Sequence, residues 1–341
     1  MPIPRKNQIS LDDTPFYHCV SRCVRRAFLC GEDPLTGKSF NHRRQRIQQD
    51  AYRLSSIFFI DIAAISVMSN HYHLVVFVDR DRANQSTAKD IVDRWHKLFG
   101  GNDLSQRFAN DELIEPWQQQ QLDTLIDLWR SRLYSISWLM RVLNEQTARL
   151  ANREDDCTGR FWEGRYKCQA LLDEQAVLSC MTYVDLNPIR AGIASTPECS
   201  EFTSIHDRIR YWKQQANQQV NKRPETSSST EPFQPDTLLP FVGNPREPMP
   251  TGIAFSLIDY LELVDWTGRQ IRDDKRGSIP DSESPILQRL GTSAAHWIYL
   301  CTNFESRFKG LVGTIHSLKQ HCASFGYKTV RNKSASMLLF G

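Results

Sequence analysis

A chain of 341 residues with 40% hydrophobic and 24% charged residues is long enough for one large domain or two ordinary ones, and its composition is that of a soluble globular protein. No apolar run approaches the roughly 20 residues that span a bilayer. Arg5 and Lys6 are not followed by the apolar stretch of a secretion signal, so a cytoplasmic protein without a membrane segment is expected. Net charge is only +3, yet residues 1–60 alone hold ten Lys/Arg against five Asp/Glu, an excess of +5. Arginine dominates that excess, which suits phosphate contacts and suits a solvated basic face equally.

In chain order, Phe16 to Val24 alternates and is rich in β-formers, which predicts a first strand. Arg43 to Leu54 has helical spacing with a basic outer face. Ile57 to Met68 reads as an apolar strand, Ser69-Asn70 as a two-residue turn, and His71 to Asp79 as the returning strand of a hairpin. Helical patterns follow at Ala88–Phe99 and Leu122–Asn152, separated by a loop or insertion at about 100–121. Gly159 to Leu172 reads as two short strands or a bent ribbon. Asp173 is placed to cap a helix reaching about Leu186, with Pro188 ending it. Residues 214–250 are rich in Gln, Ser and Pro and read as a linker. Residues 251–341 turn helical again, at Phe255–Trp266 and Ile286–Leu290, with a basic end. The division expected is thus 1–213, 214–250 and 251–341. Nine scattered cysteines, an odd number without paired C-x-x-C spacing, read as reduced thiols.

Two residue patterns carry chemistry. On a strand, His71 and His73 point to one face, where two neutral imidazoles can converge on a metal ion. Tyr72, Leu74, Val76 and Val78 then face the opposite side, the expected core. Such a pair can also be two histidines at a wet strand start. A third alternating histidine would have suggested a nucleotide-transferring triad, but position 75 is Val. Nitrogen donors favour Mn²⁺ over Mg²⁺, although phosphate chemistry uses either. The second pattern is "LSCMTYVDLNPIRAGI", where Tyr183 and Asn187 are spaced to share a helix face. A tyrosine can attack a phosphodiester and form a covalent intermediate, given a nearby cation to ease ionisation. Asn187 offers a carbonyl oxygen as a third metal ligand. Alone, Tyr183 also reads as a core aromatic.

Taken in order, "FYHCVSRCVRRAFLC", "VMSNHYHLVVFV", "GRFWEGRYKCQALL", "YVDLNPIRAGI" and "EFTSIHDRI" resemble the HUH single-strand transposases, specifically the REP-associated tyrosine transposase branch, over about residues 14–210. The resemblance implies an α+β fold, an antiparallel sheet with helices packed on it. It implies metal-dependent cleavage and strand transfer of single-stranded, hairpin-forming DNA through a 5′-phosphotyrosine, as a monomer or a homodimer. In that pattern His71 and His73 match the metal ligands, Asn187 a residue completing the site, and Tyr183 the nucleophile. Arg22, Arg25, Arg26, Arg160, Arg165 and Lys167 are the expected phosphate contacts, with Phe161 and Trp162 available for base stacking. A non-cleaving hairpin binder is the alternative from another class.

Overall fold

The first strand is the middle of a sheet, which explains why it is buried on both faces. In this computed structural model, which describes residues 8–24, 37, 39–220, 234–243, 251–271, 294–308, 310–326 and 336, strand β1 spans Phe16–Arg22 and only its two ends reach solvent. It pairs antiparallel with β3 (His71–Val78) on one side and β4 (Lys167–Leu171) on the other. Strand β2 (Ile60–Val67) completes a hairpin with β3, and β5 (Leu311–Val312) lies parallel beside β4, giving the order β2-β3-β1-β4-β5. The fold is therefore α+β, a five-stranded sheet that is antiparallel except at its β5 edge.

Each face of the sheet is covered. On one, Tyr17, Cys19, Tyr72, Leu74 and Val76 pack in a core with α1 (Asn41–Ile57), α3 (Ala88–His96), α5 (Pro116–Leu133) and α6 (Ile136–Glu154). Tyr72, Leu74, Val76 and Val78 fall in this core, as strand alternation predicts. On the other face, Ala64, Val75 and Leu171 meet α7 (Glu174–Asp185), α10 (Leu257–Ile271) and α11 (Ala294–Arg307). Short helices α2 (Arg80–Gln85), α4 (Asp103–Ala109) and α8 (Asn187–Arg190) and the longer α9 (Ser204–Val220) and α12 (Ile315–Ser324) complete the described residues.

Several boundaries differ from the sequence reading. The helix expected over 43–54 runs on to Ile57, so β2 starts at Ile60 rather than Ile57. The helix expected over 122–152 is two, broken at Tyr134–Ser135, where no Gly or Pro signals the break. The stretch 100–121 is not a loop. Asn102 and Ser105 form a reciprocal capping box that starts α4, and Pro116 at the first turn starts α5. The basic face of α1 is partly consumed: Arg43, 2% exposed, pairs with Glu154 and Asp155, and Asp50 holds Arg46 and Arg53.

The stretch expected to be a linker is largely ordered where it is described. α9 continues to Val220, and residues 234–243 pack on the sheet, with Leu238, Leu239 and Phe241 buried and Leu239 N–H donating to the Ile62 carbonyl at 2.8 Å. Nor do the described residues past 251 form a separate unit: β5 joins the sheet and α10 and α11 build its second core. The helix expected at Ile286–Leu290 lies outside the described residues. So do Arg25, Arg26 and Cys30. Free thiols include Cys19, Cys23, Cys168, Cys180 and Cys301, all buried.

Candidate active site

Register places the functional side chains on one face. β1 pairs His18 with Val75, Val20 with His73 and Arg22 with His71, while on its other edge His18 faces Gln169 and Val20 faces Lys167. Directly paired residues of antiparallel strands point the same way. His18, Arg22, His71, His73, Lys167 and Gln169 therefore share the face that α7 covers, with Arg22 and Lys167 at its exposed margin.

The three histidines are in contact. The His71 and His73 rings lie 4.8 Å apart, edge to face. The His18 and His73 rings lie parallel, planes 8° apart and centroids 5.2 Å apart, with His73 Nδ1 2.9 Å from His18 Nε2. His18 Nδ1 in turn lies 2.6 Å from Gln169 Oε1, and the Gln169 amide donates to the Phe308 carbonyl. His71, half-buried, has Nδ1 2.6 Å from Asn70 Oδ1. His73 is fully buried, and among the described residues its Nε2 has no hydrogen-bond partner. Burial, reinforced by the neighbouring His71, His18, Arg22 and Arg190, holds its imidazole well below the usual pKa, so the ring is neutral.

The Asp173 carboxylate caps α7 by accepting from Ala176 N–H at 2.9 Å, and this helix carries Tyr183 over the histidines. The Tyr183 ring centroid lies 5.6 Å from that of His73 and 6.2 Å from that of His18. Its outer side is covered: the Arg190 guanidinium sits 4.8 Å from the ring centroid, and Phe304 of α11 stacks on it at 5.7 Å, leaving Tyr183 6% exposed. α7 ends at Asp185, and Pro188, instead of closing the helix, sits in the first turn of α8. Asn187 thus opens α8. It is 9% exposed, and among the described residues its Nδ2 has no partner. A half-turn of that amide presents its oxygen at the same place.

The end of α7 is anchored from the side away from the histidines. Asp185 accepts from Ser204 Oγ (2.6 Å), Tyr260 OH (2.6 Å) and Ile205 N–H (3.1 Å). Burial raises its carboxyl to about 6, against the opposing hydrogen bonds from Ser204 and Tyr260 and the charge of Arg208.

Of the expected phosphate contacts, Arg22 and Lys167 lie on the histidine face. Arg160 and Arg165 are exposed on the ribbon leading into β4, where Arg160 donates to the Glu163 carbonyl at 3.4 Å. Phe161 is 2% exposed and belongs to the core, so the base-stacking role expected of it is not open to it; Trp162 is half-buried and donates to the Asn144 carbonyl at 2.9 Å. Sequence reasoning missed His18, Gln169, Arg190 and Phe304. His18 was within reach, since it lies on the face of β1 that alternation gives to Phe16 and Arg22.

Among the described residues, no group of three or more His, Cys, Asp or Glu side chains is disposed to hold a metal ion. Also among the described residues, no helix is long and apolar enough to cross a membrane. No family model matches the chain, and no curated protein does. A solved structure described as the REP associates tyrosine transposase bound to a REP hairpin is similar to it at 11% identity, over 64% of this chain and 92% of that one, with a TM-score of 0.33.

Proposed function

We propose that this chain is a tyrosine transposase that cuts and rejoins single-stranded, hairpin-forming DNA, with Tyr183 as nucleophile. The observation that carries the reading is the convergence of Tyr183 on the His71–His73 pair, with a buried, neutral and unpartnered Nε2 on His73. A buried nitrogen lone pair without a donor is costly unless something occupies it. His71, His73 and the Asn187 amide fit a divalent ion with mixed nitrogen and oxygen donors, Mn²⁺ better than Mg²⁺. Such an ion supplies charge to polarise a scissile phosphate.

The chain's own residues supply the rest. Arg22 and Lys167 hold backbone phosphates at the margin of the histidine face. The Tyr183 oxygen attacks phosphorus, forming the tyrosine–phosphate bond as the bond to the 3′-oxygen breaks. The phenolic proton is matched in the balance by the proton on the released 3′-OH. Rejoining reverses this step with a second 3′-OH, so the phosphotyrosine stores the bond energy and no nucleotide cofactor is needed. One nucleophilic tyrosine per chain allows a site complete in one protomer or a pair of protomers acting together.

Incubation with a single-stranded hairpin and Mn²⁺, followed by a denaturing gel, tests this: a covalent protein–DNA adduct that requires Tyr183 is expected. The cover over Tyr183 favours a second reading, a hairpin binder that does not cut. That reading predicts binding on a native gel with no adduct at any metal concentration.

A further inference from the structure

We infer that His18 and Gln169 are positioning residues that fix His73 as its Nδ1–H tautomer and so aim a bare Nε2 lone pair into the site, with the Phe308 carbonyl setting the direction of the whole relay. The inference rests on the metal-site reading above and adds to it the groups that orient one ligand.

The relay has a single consistent direction. The Phe308 carbonyl can only accept, so the Gln169 amide faces it with its NH₂ group. Gln169 then presents Oε1 to His18 Nδ1, 2.6 Å away, which must carry the hydrogen. With its single hydrogen on Nδ1, the His18 ring accepts on Nε2, and the atom 2.9 Å from it is His73 Nδ1, which then donates. His73 is left with Nε2 unprotonated, and that is the atom without a partner. Run the other way, the chain of bonds would turn the Gln169 oxygen onto the Phe308 oxygen, two acceptors in contact with no proton between them. His18, His73 and Gln169 are all 6% exposed or less, which leaves little room for water to repair such a mismatch. Metal-binding imidazoles are commonly oriented in this way by a partner on the second nitrogen. Here the partner is another imidazole, and its own anchor is a backbone carbonyl far along the chain.

The test reads the tautomer directly on metal-free protein. Long-range proton–nitrogen spectra of ¹⁵N-histidine-labelled full-length chain, with the His73 signal assigned by its loss in His73→Gln, should show His73 protonated on Nδ1 alone. His18→Phe keeps the ring volume but removes the acceptor, and should abolish that single tautomer; Mn²⁺ affinity should fall about 10- to 100-fold. His18→Gln restores an acceptor near the lost Nε2 and should recover most of both. Gln169→Leu, one step further out, gives an independent disruption should His18→Phe fail to fold, and should also release the tautomer. A His73 protonated on Nε2 in the wild type overturns the inference, as does an unchanged His73 spectrum in folded Gln169→Leu and His18→Phe. A wild-type protein with the Nδ1–H tautomer that binds no Mn²⁺ supports the relay and overturns the metal reading on its own.

Discussion

Phe304 lies stacked on Tyr183, ring centroids 5.7 Å apart and planes 27° from parallel, so a residue from the last quarter of the chain covers the candidate nucleophile. Phe304 is itself fully buried, between Tyr183, His18 and Phe308. Phe304→Ala should therefore do two things at once. It should destabilise the fold by about 3–5 kcal/mol, the usual cost of a deleted core phenylalanine. It should also raise the yield of Tyr183–DNA adduct, because the ring face is uncovered. Thermal melting and a denaturing gel measure the two effects. An adduct yield that stays level while stability falls would show that Phe304 packs without gating.

Tyr183→Phe removes one oxygen and leaves the ring packing in place. Adduct formation should vanish while hairpin binding stays within about twofold, since a missing hydroxyl at a site that binds through phosphates costs little. His71→Ala and His73→Ala should also abolish the adduct, and excess Mn²⁺ should partly restore the His71 variant. Should Tyr183→Phe still cut, Tyr17 and Tyr72 are poor replacements. Burial pushes both phenols above their usual pKa, and their hydroxyls are engaged with the Ser10 carbonyl and Asn144 Oδ1. Tyr166, half-buried and bonded to Ser137, would be the one to test.

Arg22 and Lys167 stand at the exposed margin of the histidine face. Each phosphate neutralised on a single strand contributes about 0.7 to the slope of log affinity against log salt. Replacing both with Ala should weaken hairpin binding at low salt and flatten that slope by roughly 1.4. Titrations at four salt concentrations suffice to measure it. An unchanged slope would place the DNA path elsewhere, and the Arg25/Arg26 pair would be examined next.

Asp185 gives the fold a pH signature. Burial pushes its carboxyl up to about 6 in the native state, against 3.8 for an ordinary aspartate, so between those values the folded chain holds a proton there that the unfolded chain has released. Stability from this group is complete below about pH 4 and is lost as pH rises towards 6. Two pH units of such a shift correspond to about 3 kcal/mol. Asp185→Asn should remove this slope. Subtracting its stability curve from that of the wild type between pH 4 and 8 should leave a difference that declines up to about 6 and is level beyond. A flat difference throughout would mean that the three hydrogen bonds at Asp185 hold its pKa near the ordinary value.

What the sequence revealed depended on distance along the chain. The β2–β3 hairpin, the shared face of His71 and His73, and the Asp173 cap are all local, decided by a period of two residues or by one turn of helix. The α4 helix was local too, and its Asn102–Ser105 capping box went unread because Gly100, Gly101 and the polar residues around it look like a loop. The rest is non-local. His18 meets Gln169 across 151 positions and Tyr260 meets Asp185 across 75, and no periodicity announces either pair. Within the stretch 214–250 that reads as a linker, the packing of residues 234–243 was hidden for the same cause. The Gln-, Ser- and Pro-rich composition of 214–250 is real, but Leu238, Leu239 and Phe241 find their partners only once the sheet exists.

The parallel pairing of β5 with β4 also fixes a timetable. Ala170 and Leu172 donate to the carbonyls of Gly310 and Val312, and Gln169 reaches Phe308, 139 residues downstream. At a synthesis rate of about 5–20 residues per second, the ribosome needs roughly 7–28 s to make that intervening stretch. Through that interval β4 is a bare edge, open to pairing with another chain, and Tyr183 stands without its Phe304 cover. The nascent protein therefore passes through a stage in which nucleophile and histidines are already synthesised while β5 and the relay's carbonyl anchor are still to come. Ribosome-bound chains arrested before residue 300 would hold that stage long enough for proteolysis to detect the open edge.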